Sequence, residues 1–286
     1  MKEATVSEYH KSVNKVVDYI NQHLTESIDL KTVAGVANVS EYHFHRIFKA
    51  FIGESLASYI TRLRIEKAAS LLQITKLKLE DIAERSGYQS QYALSKAFKK
   101  HFGISPSAFR NLQTYFSSHS SESINLNHRY PLPQIKEVEE KQLVYIRIIA
   151  KYGSSSEYET AWKKLWCFAK EKEILNGKNE SIGLSFDDPD ITHHDRCRFY
   201  ACITTDKPIK PEGEFGVQKI EKGKYAIFTL KGDYSGLSNI YKFIYFEWLP
   251  NSNYKLRNNV SFEIYLNNPN KTALSELLTE IYLPIY

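Results

Sequence analysis

Two groups of side chains in this 286-residue chain are suited to recognition chemistry. The first lies in residues 41–50 and 91–100. One stretch carries Tyr42, His43, His45, Arg46 and Lys49, the other Gln91, Tyr92, Ser95, Lys96 and Lys99. Arginine and lysine match the acceptor edge of guanine, glutamine matches adenine, and aromatic rings match thymine methyls or sugar faces. An ordinary solvated helix face would carry more glutamate. Here the single acid is Glu41, at a helix start where the dipole favours it. The second group surrounds Glu263 in V-S-F-E-I-Y-L, residues 260–266. The even-numbered residues are uniformly apolar and are expected to face packed helices, which leaves Glu263 on the other face with Ser261 and Tyr265. A carboxylate there is either a charged contact for a ligand or a side chain pointing into water. Trp248 and Tyr282 are candidate aromatic walls, and each could equally belong to the core.

The first group needs helices to hold it, and the pattern supplies them twice. Phe48-Lys49, Gly53, Ser55 and Tyr59 recur 50 residues later as Phe98-Lys99, Gly103, Ser105 and Phe109. Residues 30–34 match residues 79–83 at an offset of 49, so the second copy has one extra residue in its turn. Each copy reads as helix, turn, helix. Asn38 and Gly87 tolerate positive φ at the turns, and Ser40 and Ser90 stand at the N-cap positions. The stripes Phe44-Ile47-Phe48-Phe51 and Leu94-Ala97-Phe98 turn inward, which leaves the polar and aromatic residues outside. Residues 56–72, joining the copies, form a helix of about 25 Å at 1.5 Å per residue. Adding the width of the flanking helices approaches the roughly 34 Å of one DNA turn.

Residues 30–110, with S-E-Y-H-F-H-R-I-F-K and I-A-E-R-S-G-Y-Q-S-Q-Y-A-L-S-K-A-F-K-K-H-F-G-I-S-P-S-A-F-R, resemble an AraC/XylS-type DNA-binding domain. The resemblance implies seven helices, with the third and sixth entering successive major-groove segments. Carried over by position, the base readers are Tyr42, His45 and Arg46, then Gln91, Tyr92, Ser95 and Lys96. His45 and Lys96 replace residues common in the family, which puts the operator sequence in doubt. A chain with both readers can bind DNA as a monomer.

The charge agrees with a polyanion partner for this half. Net charge is +5 over the whole chain, and residues 1–112 hold 16 Lys+Arg against 11 Asp+Glu, so the remainder is neutral. Composition is globular, at 42% hydrophobic and 25% charged. Apolar runs fall short of the ~20 residues a membrane helix needs, and residues 1–5 lack a signal-peptide core. Three cysteines without C-x-x-C spacing give neither a disulfide framework nor a zinc site. A cytoplasmic protein without membrane contact, metal or cofactor is expected. Residues 113–133, with five serines among 117–123 and then two prolines, read as a flexible linker.

The neutral half is also duplicated. At an offset of 82, residues 138–143 match residues 220–225, and the register runs on through Tyr152/Tyr234, Trp166/Trp248, Ile182/Ile264 and Leu184/Leu266. Each copy reads as strand, helix, strand, with helices near residues 157–173 and 236–248. Further strands are expected in residues 197–204 and 280–284. The expected fold is multidomain: an all-α domain at 1–112, then at 134–286 an α+β domain of two duplicated units forming one curved antiparallel sheet with helices on one face. W-L-P-N-S-N-Y-K, F-E-I-Y-L-N-N-P and E-I-Y-L-P-I, with F-D-D-P-D-I-T ahead of C-R-F-Y-A-C-I, make this half similar to GyrI-like effector-binding domains. Tyr200 stands where those domains have Asp. That resemblance implies a cleft between the units that takes amphipathic or cationic small molecules, with an acid, here Glu263, at its base.

The resulting expectation is a DNA-binding transcription regulator, most simply an activator, that contacts two adjacent major-groove segments and possesses a small-molecule effector and an RNA polymerase partner. Two other readings are a hydrolase with Glu263 as general base, and a ligand-independent regulator whose second half binds a protein. No Ser-His-Asp order, metal cluster or phosphate loop supports catalysis.

Overall fold

The computed structural model describes residues 3–119 and 130–286. The chain divides into two compact units, Met1–Leu126 with Glu212–Glu214, and Asn127–Pro211 with Phe215–Tyr286.

The first unit is helical. α1 (Glu3–Gln22) buries Val13, Val16, Val17 and Ile20 against α2 (Leu30–Ala37) and α3 (Glu41–Ile52). Asp29 accepts the Thr32 N–H at 2.7 Å and caps α2, which ends at Asn38 in the left-handed region, φ 57°. Ser40 caps α3 by accepting the His43 N–H, and Gly53 at φ 84° ends it. α4 (Leu56–Ile74) has 19 residues, two more than expected, and so is about 28 Å long. Its Arg62 reaches Glu54 at 2.6 Å and Glu66 at 3.1 Å, and this buried ion cluster ties the α3–α4 turn to the helix. Breaking such a pair would strand an uncompensated buried charge. α5 (Leu79–Arg85) and α6 (Gln91–Phe102) repeat the motif, with Ser90 accepting from the Ala93 N–H and Gly103 closing the helix. α7 (Pro106–His119) starts after Ser105, which accepts from the Ala108 N–H. It runs seven residues into the stretch expected to be a linker. Of that expectation, Ser120, Ser121 and Ser123 fall on residues 120–129, outside the described residues. Among the described residues no helix is long and apolar enough to cross a membrane.

The second unit is built on β1 (Gln134–Val138), β2 (Lys141–Ile149), α8 (Ser155–Glu171), β3 (Ser181–Ser185), β4 (Arg198–Thr204), β5 (Phe215–Ile220), β6 (Gly223–Lys231), α9 (Leu237–Lys242), β7 (Phe262–Tyr265) and β8 (Leu278–Pro284). α9 continues as a π-helical stretch, Phe243–Trp248. The strands form one antiparallel sheet in the order β1-β6-β8-β7-β3-β4-β2-β5. Ile182 and Ile264, equivalent by the sequence repeat, are direct cross-strand partners, so the pseudo-twofold passes through this pair. β1 and β5 are exchanged: β1 pairs with β6 of the second copy, and β5 with β2 of the first.

That exchange explains the curvature. Only Glu139 and Glu140 separate β1, at one end of the sheet order, from β2, next to last at the other. Three residue steps reach about 10 Å, so the sheet must curl to bring its ends together. Ion pairs from β5 and the β5–β6 link to the β1–β2 link, Lys219–Glu140 at 3.0 Å and Lys222–Glu139 at 2.8 Å, cross that seam. The helix-free face closes on itself around Tyr145, Tyr200, Tyr225, Phe262, Ile264 and Tyr282. Tyr200 stacks on Tyr145 there at 4.4 Å. The other face is covered in two parts. α8 packs on Ile146, Ile148 and Phe199, and the α9 stretch on Phe228, Leu230 and Ile281.

Both faces are therefore apolar, and this overturns one expectation. Phe262 and Ile264 point away from the helices into the closed face, whereas Glu263 and Tyr265 lie on the helix side.

Candidate DNA interface and effector site

Amphipathic spacing decides which side chains α3 and α6 present. On α3, Phe44, Ile47 and Phe48 are buried, while Tyr42 (74% exposed), His43, His45, Arg46 and Lys49 are outside. The Arg46 guanidinium lies 5.8 Å over the Tyr42 ring one helical turn back. One ring nitrogen of His43 is hydrogen bonded to the Tyr9 hydroxyl at 2.8 Å, which fixes that ring beside α1. On α6, Leu94 and Phe98 are buried. Gln91, Tyr92 (76% exposed), Lys96 and Lys99 are outside, and Ser95 is half-buried. Tyrosines as open as Tyr42 and Tyr92 leave large apolar area in water, at equivalent places near the starts of two helices.

In the second unit the acid is enclosed. Glu263 is 2% exposed. Its Oε2 accepts from the Tyr265 hydroxyl at 2.6 Å. Its Oε1 accepts from the Tyr241 hydroxyl at 2.9 Å and from Ser185 Oγ at 3.3 Å. Trp162 of α8 stands edge-on to Tyr265 at 5.9 Å, and Tyr234, just before α9, at 5.4 Å. The carboxylate thus forms the floor between the two helical layers, with rings from both around it.

Strand pairing makes room for this. Gly183 is the cross-strand partner of Glu263, and Ser181 that of Tyr265. A methyl at Gly183 would collide with the Tyr265 hydroxyl and with the Phe199 ring at 2.8 Å. Burial pushes the Glu263 carboxyl above the usual carboxylate range, opposed by the hydroxyls of Tyr265, Tyr241 and Ser185. The groups that hold it down are neutral, and no cation is among them. Burial and then the Glu263 charge push Tyr241 and Tyr265 well above the usual phenol range. Glu263 is thus a buried carboxyl held by three hydroxyls, with no cation beside it among the described residues.

Two expected walls lie elsewhere. Tyr282 pairs with Phe262 and stacks on it at 4.6 Å in the closed face, opposite Glu263, and donates to Glu280. Strand alternation forces this, since Ile281 is the partner of Glu263. Trp248 meets Phe228 edge-on at 5.0 Å and stacks on Tyr254, within the cluster around Ile240 and Ile244. Sequence reading missed Trp162, Tyr234, Tyr241 and Ser185. The repeat did pair Tyr234 with Tyr152, but Tyr152 is spent on structure: its hydroxyl bonds the Asp187 and Arg198 carbonyls at 3.0 Å. Among the described residues His193, His194 and Asp195 bring potential metal-ligand atoms within 4.8 Å of one another, on an exposed turn.

Residues 33–112 match a helix-turn-helix domain, and residues 132–286 match the GyrI-like small molecule binding domain. The chain is 26% identical over 270 residues to the transcriptional regulator Rob of Salmonella typhimurium, covering 88% of this chain and 89% of that one. It is 34% identical over 105 residues to the transcriptional activator AarP of Providencia stuartii, covering 37% of this chain and 78% of the relative. It is also 38% identical over 115 residues to the HTH-type transcriptional regulator YbfP of Bacillus subtilis, covering 40% of this chain but only 39% of that relative. Among solved structures, the EcmrR–DNA complex matches at 18% identity and a TM-score of 0.45, covering 90% of this chain and 98% of that one.

Proposed function

The chain belongs to the GyrI-like small-molecule-binding family, here joined to an AraC-type pair of helix-turn-helix units, and from that premise we propose that it is a transcription activator governed by a small lipophilic cation. α3 and α6 enter two adjacent major-groove segments of duplex DNA. Arg46 and Gln91 read base edges, and Lys49 and Lys99 hold phosphates. With both readers on one chain, a single copy occupies each site. The effector sits over Glu263 between α8 and α9, and its occupancy shifts how the DNA-bound protein engages RNA polymerase in the cytoplasm.

The observation that carries the ligand reading is the enclosure of Glu263 by hydroxyls and rings, with no cation beside it among the described residues. A buried carboxylate is costly without an opposite charge, and a cation supplies that charge while ring faces solvate it. The relatives are named as regulators, and we assign no catalytic step to Glu263. Selection of duplexes from a random library by the full chain tests the DNA reading. Recovery of one sequence that binds one chain, by sedimentation of the complex, is expected. Failure to enrich any sequence, or an obligatory 2:1 complex, would overturn it.

A further inference from the structure

The two helix-turn-helix units share more than the helix between them. Arg64 of α4 spreads its guanidinium over two backbone carbonyls of the α1–α2 link, Nε donating to Leu24 O at 2.8 Å and Nη2 to Glu26 O at 2.5 Å. The turn between α5 and α6 comes down on the same spot. A methyl placed at Gly87 would lie 2.8 Å from both Arg64 Nε and Leu24 O, and 3.0 Å from Thr25 Cα. Backbone of the α5–α6 turn therefore comes against backbone of the α1–α2 link, beside the arginine.

The sequence repeat contains its own control. Asn38 occupies the equivalent turn of the first unit with φ 57°, so a left-handed turn does not by itself demand glycine. Gly87, at φ 81°, has a second constraint, which is the close approach. α4 fixes how far apart the units lie, but a helix alone leaves their rotation about its axis to weaker packing. A planar fork bound to two carbonyls and pressed by a third chain segment removes that freedom, which a lysine's single charge point would not.

We propose that Arg64 and Gly87 form a joint that locks α6 relative to α3 and so sets the separation of the two DNA segments the chain accepts. Arg64 is a positioning residue and touches no base. The proposal rests on the reading of α3 and α6 as base readers.

The test uses the full chain and the duplex that wild type selects from a random library, together with versions carrying one base pair inserted or deleted between the two segments. Wild type should prefer the native spacing by about tenfold or more, the scale of a lost base contact. Gly87→Ala and Arg64→Lys should bring that preference down to about threefold or less, through loss of affinity for the native spacing alone. Gly35→Ala, where nothing lies within 4 Å, should leave the preference as it is. Arg64→Lys keeps the stem and the charge, so it remains informative if Gly87→Ala fails to fold. Equal losses on all three duplexes would make Arg64 merely structural and overturn the joint. Failure of wild type to select any duplex would overturn the DNA reading, and the joint with it.

Discussion

Gly183 faces Glu263 directly across the paired strands β3 and β7, and its missing side chain leaves the space in which the Tyr265 hydroxyl reaches the carboxylate. Gly183→Ala should therefore push Tyr265 off Glu263. Overpacking of this kind costs about 1–3 kcal/mol of stability, and affinity for a lipophilic cation should fall with it. Calorimetric titration of the variant checks this; unchanged affinity would mean that Tyr265 does not shape the site.

Glu263→Gln keeps the shape and removes the charge. Affinity for tetraphenylphosphonium should drop by about 1–3 kcal/mol, the net scale of a charged contact after desolvation. A neutral ligand of the same size should be little affected. Parallel titrations separate the outcomes, because equal losses for both ligands would make the residue structural.

The same carboxyl gives stability a pH dependence. Its folded-state pKa is raised by burial, so its contribution is fully present below the unfolded value of about 4.3 and is lost as pH rises through the folded value. Without ligand, wild type should lose thermal stability relative to Glu263→Gln from about pH 4 upward. Bound cation should reverse the trend, since it favours the ionised form. Melting curves from acid to neutral pH test this, and a pH-independent gap would contradict it.

The relocated walls make a contrast. Trp162→Ala should weaken cations by about 0.5–2 kcal/mol through lost ring contact. Tyr282→Phe removes a hydroxyl on the opposite face and should leave ligand affinity unchanged. Trp248→Ala should lower Tm, with affinity intact in the protein that remains folded. If Tyr282→Phe proved the more damaging to binding, the assignment of faces would be wrong.

On DNA, Arg46→Ala should cost about 1–3 kcal/mol on the selected duplex and relax preference at one base position. Lys99→Ala should weaken specific and random DNA alike, reducing the salt slope by about one. Fluorescence titration over a range of salt distinguishes them. Equal losses for Arg46→Ala on both DNAs would remove it from the readers.

How much of this was legible in the sequence varied with the physics involved. The two helix-turn-helix units were plain because caps, turn residues and apolar spacing are local, and Ser40 and Ser90 cap as their types suggest. Glu263 stood out by alternation, but its face did not. In a sheet that curls on itself Phe262 and Ile264 are as buried as Ile281, so apolar character does not say where the helices are. Tyr241 and Trp162 come to the site through helix-on-sheet packing, which no short-range spacing encodes. Trp166 and Trp248 are equivalent by sequence, yet Trp166 is 39% exposed while Trp248 packs on Phe228. Serines predicted a linker from residue 113, but backbone bonding carries α7 on to His119.

Under the proposed function, a cation over Glu263 changes what the DNA-bound chain does. Run-off transcription by bacterial RNA polymerase, from a promoter template carrying the selected duplex, measures this with and without saturating tetraphenylphosphonium. Transcript output should rise with the cation for wild type and stay level for Glu263→Gln. Equal output from wild type in both conditions, or an equal rise in the variant, would rule out Glu263 as the effector's contact.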